Sequence, residues 1–479
     1  MKGLLLASEY NDNGMPDIAL STDFYELTMA AAYHRSDFET NRRKKKAIFE
    51  MFVRKLPRNR SYLVAAGLEQ AIYFLMKIKF NDKHISYLKS LKTFKDVDQN
   101  FFEYLKRFKF TGTVWAVPEG TILFPNEPII RIEAPIIEAQ IVETYILSMV
   151  NFQSLISTKA SRIVSAAKGK PIIEFGSRRA HGPQAALLAA RASYIGGCIG
   201  TSNTLAGYKL GIPLFGTMAH SFVMSFDKEE QAFKEFNSLF PSGYLLVDTY
   251  DSLAAIKRII NARIHTSGIR LDSGDPYYLS IEARRLLDCA GHSKTKIMAS
   301  GDLNEYLIRD LVNRDAPIDF FGVGTELSTS RDDPAMNGVY KLVAIKVPAS
   351  PPSDDKKKYN DNRNDKILYK IKTSLGKKNY PGPKQIHRII ENKIIKEDVI
   401  ALEDEKKISG QVRVPLLRKF LDRGKILCKM PSVEEIQRYH CQQVNLLPPK
   451  FKDLDFVPEV FPVIYSEKLE ATMRHIKPG

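Results

Sequence analysis

Six short apolar segments rich in β-branched residues recur through the middle third of the chain, and each is followed by polar or small residues. They are PIIEF, IPLFG, YLLV, GIRL, KIMA and IDFFG, which end at Phe175, Gly216, Val247, Leu271, Ala299 and Gly322. Successive ends are 41, 31, 24, 28 and 23 residues apart, the lengths of strand-plus-helix units. The carboxyl ends of parallel strands emerge on one face. The sequence therefore predicts an α/β barrel with one open, ligand-binding mouth.

The chain on either side of this barrel has a different pattern. Residues 1–150 are typical of an α+β domain, and the barrel domain is expected at 151–347. The predicted elements of the first domain are helices over Asp23–Tyr33 and Leu63–Lys77, a strand over Ala47–Val53 and antiparallel strands within 111–135. A stretch rich in Pro, Asp, Lys and Asn at 348–366 predicts a linker or surface loop. Residues 367–479 form a C-terminal segment with short strands (ILYKI, IHRII) and a helix over Val433–Tyr439.

Composition restricts the class of protein. The chain has 479 residues and a net charge of +16, and much of the excess lies in polar runs at 42–46, 356–358 and 377–378. Solvated loops explain these runs, although attraction of polyanionic small molecules or incidental affinity for nucleic acid is compatible with them. No zinc finger, RNP motif or basic leucine zipper accompanies the charge. No nucleic-acid partner is expected.

The cysteines and the apolar runs indicate the compartment. Four cysteines lie far apart with no CxxC pair, which fits neither a zinc site nor a disulfide framework. Ordinary free thiols suit a reducing compartment. No apolar run approaches the roughly 18 to 20 residues that span a bilayer, and the amino terminus is too short in apolar residues for a signal peptide. We expect a cytoplasmic protein without a membrane partner.

A histidine and several aspartates follow the predicted strands. His220 lies four residues beyond one strand, among small residues, so it is either a satisfied core histidine or a nucleophile or acid/base at the mouth. Carboxylates at a barrel mouth, directly after strands, can bind Mg²⁺ through water or hold sugar hydroxyls. Helix capping is the alternative for any one of them, and it fits Asp251 best. The acidic set is Asp248, Asp272, Asp275 and Asp302.

Glycine turns and arginines supply candidate anion sites. Ser300-Gly301 and the segment Gly322-Val323-Gly324-Thr325 allow backbone N–H groups to reach a phosphate, with Arg270 nearby. Arg178 and Arg179 follow Phe175 and offer planar guanidinium groups to a carboxylate or phosphate, or form a surface salt bridge. The chain has neither a Walker A motif nor a GxGxxG motif that opens a helix.

Taken together, these segments resemble the nicotinate phosphoribosyltransferase family. The matching motifs occur in the family's order and cover Thr22 to Lys346: TDFYELTMAAAY, EFGSRRAHGPQ, GTSNTLAG, GTMAHSFV, VDTYDS, GIRLDSGD, SGDLNE, and GVGTELSTS followed by NGVYKLV. The resemblance implies a type II phosphoribosyltransferase fold, in which an N-terminal α/β domain packs on an irregular α/β barrel. It also implies that the C-terminal segment completes the first domain. The implied assembly is a head-to-tail homodimer, in which Tyr25 reaches the neighbouring barrel.

The implied reaction joins nicotinate and 5-phosphoribosyl-1-pyrophosphate into nicotinate mononucleotide and pyrophosphate, the first step of NAD salvage from nicotinate. ATP hydrolysis is coupled to it, and Mg²⁺ is the expected metal. His220 matches the family histidine that ATP phosphorylates. Asp272 and Asp302 would serve ribose or metal-bound water, Arg270 and Thr217 would bind substrate, and Asp248 with Asp272 would hold the metal through water.

The resemblance also implies which residues bind nicotinate and which bind the 5-phosphate. The nicotinate ring would lie between Phe175 and Tyr25, with Arg178 facing its carboxylate. The residues implied for the 5-phosphate are Gly301, Gly322, Gly324, Thr325, Thr329 and Lys341. The related nicotinamide enzyme carries an Asp in its GT-D-TVAG segment, whereas GTSNTLAG offers the neutral Ser202 and Asn203. A carboxylate there would repel an acid, so nicotinate is favoured.

Three alternatives remain at this point. Nicotinamide phosphoribosyltransferase and the decarboxylating quinolinate enzyme are alternatives within the enzyme class, and Arg179 keeps quinolinate possible as a second basic group. A non-catalytic basic binding protein that uses the +16 charge belongs to a different class. Its affinity would fall steeply with salt, and it would show no turnover.

Overall fold

The structure is a computed structural model that describes residues 18–40, 45–347, 365–372, 374, 379–405, 413–455 and 460–476. The predicted linker lies outside these residues except for 365 and 366, as do most of the basic runs. The helices are α1 Phe24–Thr40, α2 Leu68–Lys77, α3 Asp82–Ser90, α4 Gln99–Lys106, α5 Ile136–Ile141, α6 Glu143–Ala166, α7 Pro183–Ile195, α8 Thr204–Leu210, α9 His220–Met224, α10 Glu229–Leu239, α11 Ser252–Asn261, α12 Pro276–Cys289, α13 Glu305–Asn313, α14 Thr325–Ser328, α15 Val433–Leu446 and α16 Glu467–His475.

In the described residues the strands form four sheets: a six-stranded parallel sheet, a seven-stranded antiparallel sheet, a four-stranded mixed sheet and a two-stranded pair. They are β1 Lys46–Val53, β2 Leu63–Val64, β3 Thr113–Ala116, β4 Ile122–Leu123, β5 Ile130–Pro135, β6 Ile172–Glu174, β7 Gly200–Thr201, β8 Tyr244–Leu246, β9 Gly268–Leu271, β10 Lys296–Ala299, β11 Phe320–Val323, β12 Gly338–Val347, β13 Lys366–Tyr369, β14 Lys384–Glu391, β15 Ile394–Leu402, β16 Arg413–Pro415, β17 Arg418–Asp422, β18 Lys425–Ile426 and β19 Val463–Tyr465.

The parallel sheet has the order β7-β6-β11-β10-β9-β8 and forms the barrel wall. Five of the six predicted strands are confirmed within it. The exception is IPLFG, which makes a single parallel bridge between Leu214 and Thr201. Pro213 has no N–H to donate to a ladder, and the short strand Gly200–Thr201, which the sequence did not predict, lies there instead. The barrel is therefore irregular on this side.

A seven-stranded antiparallel sheet forms the N-terminal domain, in the order β13-β12-β1-β5-β3-β17-β18. Its strand β12 pairs with β1 from Lys346 opposite Lys46 to Gly338 opposite Val53. The expected barrel boundary at 347 is therefore wrong, because residues 338–347 lie in this sheet. Residues of β17 pair with β3 from the other side of the sheet. The domain thus contains three separated parts of the chain.

Most of the helices predicted from local patterns are confirmed, although they begin or end at other residues than predicted. The predicted helix over Leu63–Lys77 is wrong in its first turn, since Leu63–Val64 is a strand and the helix begins after Gly67, whose φ is +97°. Helix α1 continues past Tyr33, and α15 continues past Tyr439. Asp251 caps α11 as predicted, because its side chain accepts a hydrogen bond from the Ala254 N–H at 2.6 Å.

One long helix joins the two domains. Helix α6 crosses the expected boundary at 150 and packs against β2 and α2 on one side and against α7 and α13 on the other. Separate apolar cores lie in the N-terminal sheet and around the barrel strands. In the described part of the chain, every helix is too short or too polar to cross a membrane.

Candidate active site

Arg270, at the carboxyl end of β9, holds three loops of the barrel mouth together. Its guanidinium donates hydrogen bonds to Thr217 Oγ1 at 2.8 Å, Ser300 Oγ at 2.8 Å and Asp272 Oδ1 at 2.6 Å. These partners follow three different strand segments. The predicted convergence of polar residues at this face is therefore observed for Arg270, Asp272 and Thr217.

Asp272 is held as a carboxylate. Its partial burial opposes ionisation, but the neighbouring Arg270 guanidinium and the Ser300 hydroxyl outweigh it and keep the pKa of Asp272 below its usual range. One oxygen of the carboxylate is engaged by these two groups. The other oxygen faces His220, at 3.9 Å from its Nε2 atom. A negative charge is thus fixed beside the histidine.

His220 is the first residue of α9 and lies at the mouth, not in the core. Its side chain is 43% exposed, which excludes the alternative of a satisfied core histidine. Its Nδ1 atom lies 3.2 Å from Thr249 Oγ1. The ring is thus held between a hydroxyl and a carboxylate, with access from solvent. An imidazole in this position can accept a group from a ligand that enters the mouth.

Phe175 and two glycines form the floor beside Arg270. The Arg270 guanidinium carbon lies 5.7 Å from the centre of the Phe175 ring. A Cβ atom on Gly322 would lie 2.5 Å from that ring, and one on Gly301 would lie 2.0 Å from the Asp272 carbonyl oxygen. Gly301 also has a φ of +87°. Neither position accepts a side chain without displacing the loop.

Glu174 organises the loop that carries Phe175. Its buried carboxylate accepts hydrogen bonds from the Gly176 N–H and from Thr201 Oγ1, and burial raises its pKa. The loop after β6 is joined to β7 in this way. The sequence pattern shows Glu174 as one residue of an apolar strand, so its role was not predicted.

The second phosphate candidate lies at the start of α14. Gly324 precedes this four-residue helix, and Thr325 is its first residue. Thr329 lies one turn later, and its hydroxyl donates to the Thr325 carbonyl oxygen at 2.7 Å. Gly301 and Gly322 lie on neighbouring strand ends, so the predicted phosphate residues of the barrel are near one another. Lys341 is separate from this group.

Arg178 and Ser202 are exposed on the loops after β6 and β7. In the part of the chain that the structure describes, neither the Arg178 nor the Arg179 side chain forms an ion pair. Asn203 caps α8, since its Oδ1 accepts a hydrogen bond from the Ala206 N–H at 2.9 Å. Asn203 is therefore occupied in the helix, and Ser202 is the neutral side chain that remains available.

The other three predicted aspartates differ in whether their side chains cap a helix. Asp275 caps α12, because it accepts from the N–H groups of Tyr277 and Tyr278. Asp302 has a φ of +44° and does not cap α13, whose cap is Asn304. Asp248 accepts a hydrogen bond from Ser273 Oγ at 2.6 Å, and its buried Oδ1 atom has no partner among the described residues.

Two predicted site residues lie in the N-terminal domain. Tyr25, on α1, is 46% exposed, and Glu143 accepts a hydrogen bond from its hydroxyl. Lys341, on β12, lies near the same Glu143, and burial raises the pKa of that carboxyl against the opposing charge of Lys341. The assignment of Lys341 to the phosphate loops of its own barrel is not supported by this position.

Three family models for nicotinate phosphoribosyltransferases match the chain: the N-terminal domain over residues 20–151, the family's main domain over 171–375 and the C-terminal domain over 410–473. The chain belongs to the nicotinate phosphoribosyltransferase family. It is 41% identical to nicotinate phosphoribosyltransferase pncB2 of Mycobacterium tuberculosis over 96% of this chain and 94% of the relative. It is 39% identical to the Bacillus subtilis nicotinate phosphoribosyltransferase over 94% and 93%.

Solved structures agree with this membership. Human nicotinic acid phosphoribosyltransferase superposes with a TM-score of 0.78 at 26% identity, covering 95% of this chain and 99% of the human chain. The nicotinate-nucleotide pyrophosphorylase of Pyrococcus furiosus gives a TM-score of 0.69 at 26% identity, covering 89% and 96%. The predicted type II phosphoribosyltransferase fold is confirmed for this nicotinate phosphoribosyltransferase family member.

Sequence reasoning missed Thr249, Ser273 and Glu174 at this family site. Thr249 lies in VDTYDS and Ser273 in LDSGD, next to aspartates that were singled out. Their position directly after strands was a usable signal, because such residues point to the same mouth. Glu174 carried no comparable signal.

Proposed function

We propose that the chain transfers the 5-phosphoribosyl group from 5-phosphoribosyl-1-pyrophosphate to the ring nitrogen of nicotinate and releases pyrophosphate. The arrangement of Arg270, Asp272 and His220 at the barrel mouth carries this proposal. Family membership and the relatives' names support it. The cluster joins a cation, which would bind the leaving phosphates, and a carboxylate, which would face the sugar, in one hydrogen-bonded group.

Departure of pyrophosphate develops positive charge on the ribose C1 atom. In the proposal, Asp272 and Asp302 stabilise that charge or hold the ribose hydroxyls, and Arg270 binds the phosphates. Preorganisation supports these roles, because Arg270 and Asp272 are already fixed by Thr217 and Ser300. Gly301, Gly322, Gly324 and Thr325, with Thr329, would receive the 5-phosphate through backbone N–H groups.

In the proposal, Mg²⁺ binds at the acidic loops after β8 and β9. The unpartnered Asp248 Oδ1 and the free oxygen of Asp272 provide the hard oxygen donors that Mg²⁺ prefers, either directly or through water. When bound, the ion would neutralise charge on the pyrophosphate group. Ser273 would orient the Asp248 carboxylate from its other oxygen.

Nicotinate would stack on Phe175 with its carboxylate towards Arg178. The exposed Arg178 side chain and the neutral Ser202 support an acid over an amide in this pocket. Tyr25 would cover the other face of the ring from a second copy of the chain. Its exposure on α1 supports a homodimer in which each mouth is completed by the partner.

ATP would phosphorylate His220. The γ-phosphoryl group passes from ATP to an imidazole nitrogen, the bond to the β-phosphate breaks and ADP leaves. Later hydrolysis of the phosphohistidine would draw the reaction towards nicotinate mononucleotide. Exposure of the ring and its position beside Asp272 and Thr249 support this role. We place the reaction in the cytoplasm, with no nucleic-acid or membrane partner.

The test is product formation from 5-phosphoribosyl-1-pyrophosphate with nicotinate, nicotinamide or quinolinate, each with and without Mg-ATP. We expect turnover of nicotinate, increased by ATP. Turnover of nicotinamide instead would contradict the assignment of Arg178 and Ser202. Absence of turnover with all three, in a folded protein, would overturn the proposed function.

A further inference from the structure

A cavity of about 510 Å³ opens on the barrel face opposite the mouth. It lies at the amino ends of β6, β10 and β11, where Pro171, Lys296 and Asp319 enter or precede the strands. The proposed active site lies at the carboxyl ends of the same strands. Because these strands are only three or four residues long, about 10–13 Å separates the two faces.

The lining of this cavity is strongly basic. Four cationic side chains face one carboxylate, so the formal charge of the lining is +3. The cations come from two connections of the barrel: Lys168 and Lys170 from α6–β6, and Arg284 and Lys296 from α12 and the start of β10. The carboxylate, Asp319 of α13–β11, pairs with Lys296 at 2.8 Å. A basic concavity assembled from separate connections concentrates positive potential in one place.

The cations are positioned by their surroundings. Arg284 donates to the carbonyl oxygens of Thr295 at 2.8 Å and His292 at 3.0 Å. Lys170 donates to the Ala316 carbonyl oxygen at 2.9 Å, and burial lowers its pKa against the effect of Asp319 and Asp315. The free-energy cost of removing an ammonium partly from water is offset when an anion binds beside it.

Arg284 is also paired with Asp288 at 2.9 Å, so the donors for a ligand come from Lys168 and Lys170, which stabilisation of helix C-termini does not use up. Cations near the last turn of a helix interact favourably with its carbonyl groups, and α6, α12 and α13 all end at this face. An ammonium has three N–H donors, and Lys170 uses one of them in its contact with the Ala316 carbonyl oxygen. Lys168 makes one contact, with Asn313 Oδ1 at 2.8 Å. Donors therefore remain for a ligand.

We propose that this cavity is a second anion-binding site, which takes a phosphorylated small molecule of nucleotide size. Its volume lies within the range of small-molecule sites, about 300–1,000 Å³. Lys and Arg side chains are the protein groups that bind phosphate with charge-assisted hydrogen bonds. The site is independent of the proposed reaction, since none of its lining residues belongs to the mouth.

The experiment measures binding of inorganic pyrophosphate, AMP and ATP to the full chain by titration calorimetry in the Arg270→Ala background, which weakens binding at the mouth. We expect one remaining site for each copy of the chain. Lys170→Gln should weaken this site about tenfold or more. Lys294→Gln removes the same charge from the loop that carries Ser293 and Thr295, outside the lining, and should leave the affinity unchanged.

Lys168→Ala provides a second variant in case Lys170→Gln lowers the melting temperature. Tighter binding of AMP or ATP than of pyrophosphate would identify a nucleotide as the occupant, whereas equal affinities would identify a simple polyanion. Affinity that is the same in Lys170→Gln, Lys168→Ala and Lys294→Gln would overturn the proposal. The cations would then only stabilise the C-termini of the helices that end at this face. Turnover of nicotinate is measured separately, so failure of either proposal is distinguishable from failure of the other.

Discussion

At the scale of single residues, the mouth depends on side chains that each join several loops. Arg270 contacts Thr217, Ser300 and Asp272 and lies beside the Phe175 ring. Lysine has no planar group with five donors and cannot reproduce this geometry. The chemistry proposed for the site therefore rests on a few residues whose replacement has distinct consequences.

His220→Ala should abolish the stimulation of nicotinate turnover by ATP and leave the fold intact. The ring is 43% exposed, and its polar contacts within the described residues are those with Thr249 and Asp272, so its loss has little effect on packing. Initial rates with and without Mg-ATP, together with the melting temperature, check this outcome. His475→Ala, an exposed histidine on α16, is the control. Coupling equal to that of wild type in His220→Ala would refute the assigned role.

Arg178→Ala should raise the KM for nicotinate about 10- to 100-fold with little change in kcat. A charge-assisted hydrogen bond to a carboxylate is worth about 1.5–3 kcal/mol. Because this bond would be equally strong in the bound substrate and in the transition state, its loss raises KM and leaves kcat almost unchanged. Arg179→Ala is the neighbouring control and should change KM less than threefold. Steady-state kinetics at saturating 5-phosphoribosyl-1-pyrophosphate measure both. An unchanged KM in Arg178→Ala would remove Arg178 from the carboxylate site.

Gly301→Ala should reduce kcat/KM about 100-fold and destabilise the chain by about 1–3 kcal/mol more than Gly291→Ala. Both glycines have positive φ, +87° and +77°, so both variants carry the same backbone strain. Only at Gly301 does a Cβ meet another atom, the Asp272 carbonyl oxygen at 2.0 Å. Denaturant unfolding and kinetics measure the difference. Equal effects of the two variants would show that strain, and not the contact, limits this position.

At the scale of elements, α6 couples the barrel to the N-terminal domain through buried charges. Lys159 on α6 donates to Glu305 on α13 at 2.5 Å and to Asp332 at 3.0 Å. Arg162, one turn later on α6, contacts the same Glu305. Arg60, from the N-terminal domain, also binds Asp332. Removal of one member leaves an uncompensated charge among side chains that are almost fully buried, apart from the partly exposed Asp332.

Glu305→Gln should destabilise the protein by about 3 kcal/mol, because the buried Lys159 and Arg162 lose their shared carboxylate. Asp310→Asn on the same helix removes an exposed carboxylate paired with Arg314 and should cost less than about 1 kcal/mol. Urea unfolding at pH 7 gives both free energies of unfolding. A cost below 1 kcal/mol for Glu305→Gln would contradict the role assigned to this pair.

At the scale of the whole molecule, three distant parts of the chain meet at His440. This histidine of α15 lies with its Nδ1 atom 3.1 Å from the Gly120 carbonyl oxygen and its Nε2 atom 3.0 Å from Ser161 Oγ on α6. Burial lowers the pKa of His440 to about 4, against the opposing effect of the Gly120 carbonyl. The folded protein therefore keeps this histidine neutral.

Wild-type protein should lose more stability on acidification than His440→Gln does. The pKa of His440 is lower in the folded chain than the ordinary value of 6.5, so below pH 6.5 the unfolded chain takes up a proton that the folded chain refuses until about pH 4. The loss amounts to about 2–3 kcal/mol between pH 7.5 and pH 4.5. Free energies of unfolding at both pH values measure it. Parallel pH profiles of the two proteins would show that His440 does not titrate in this way.

Short-range patterns were sufficient for the barrel strands and for much of the mouth. Five strand ends and the residues after them follow from apolar runs and their spacing, because each pattern extends over a few neighbouring residues. Asn203 shows the limit of this reasoning: the resemblance offered it with Ser202 as a neutral residue where the nicotinamide enzyme has an Asp, whereas the structure uses it as a helix cap. Which of two local roles a polar residue takes depends on where the next helix begins.

The sequence by itself determined the repeated strand-helix units, the residue types at the barrel mouth and the family. The tertiary structure alone decided that β12 and β17 join the N-terminal sheet, and that Thr249 meets His220 across two loops. Pairing of β1 with β12 joins residues about 290 positions apart. Periodicity reports which face of a strand is apolar, but the choice among apolar partners is made by packing of the whole chain.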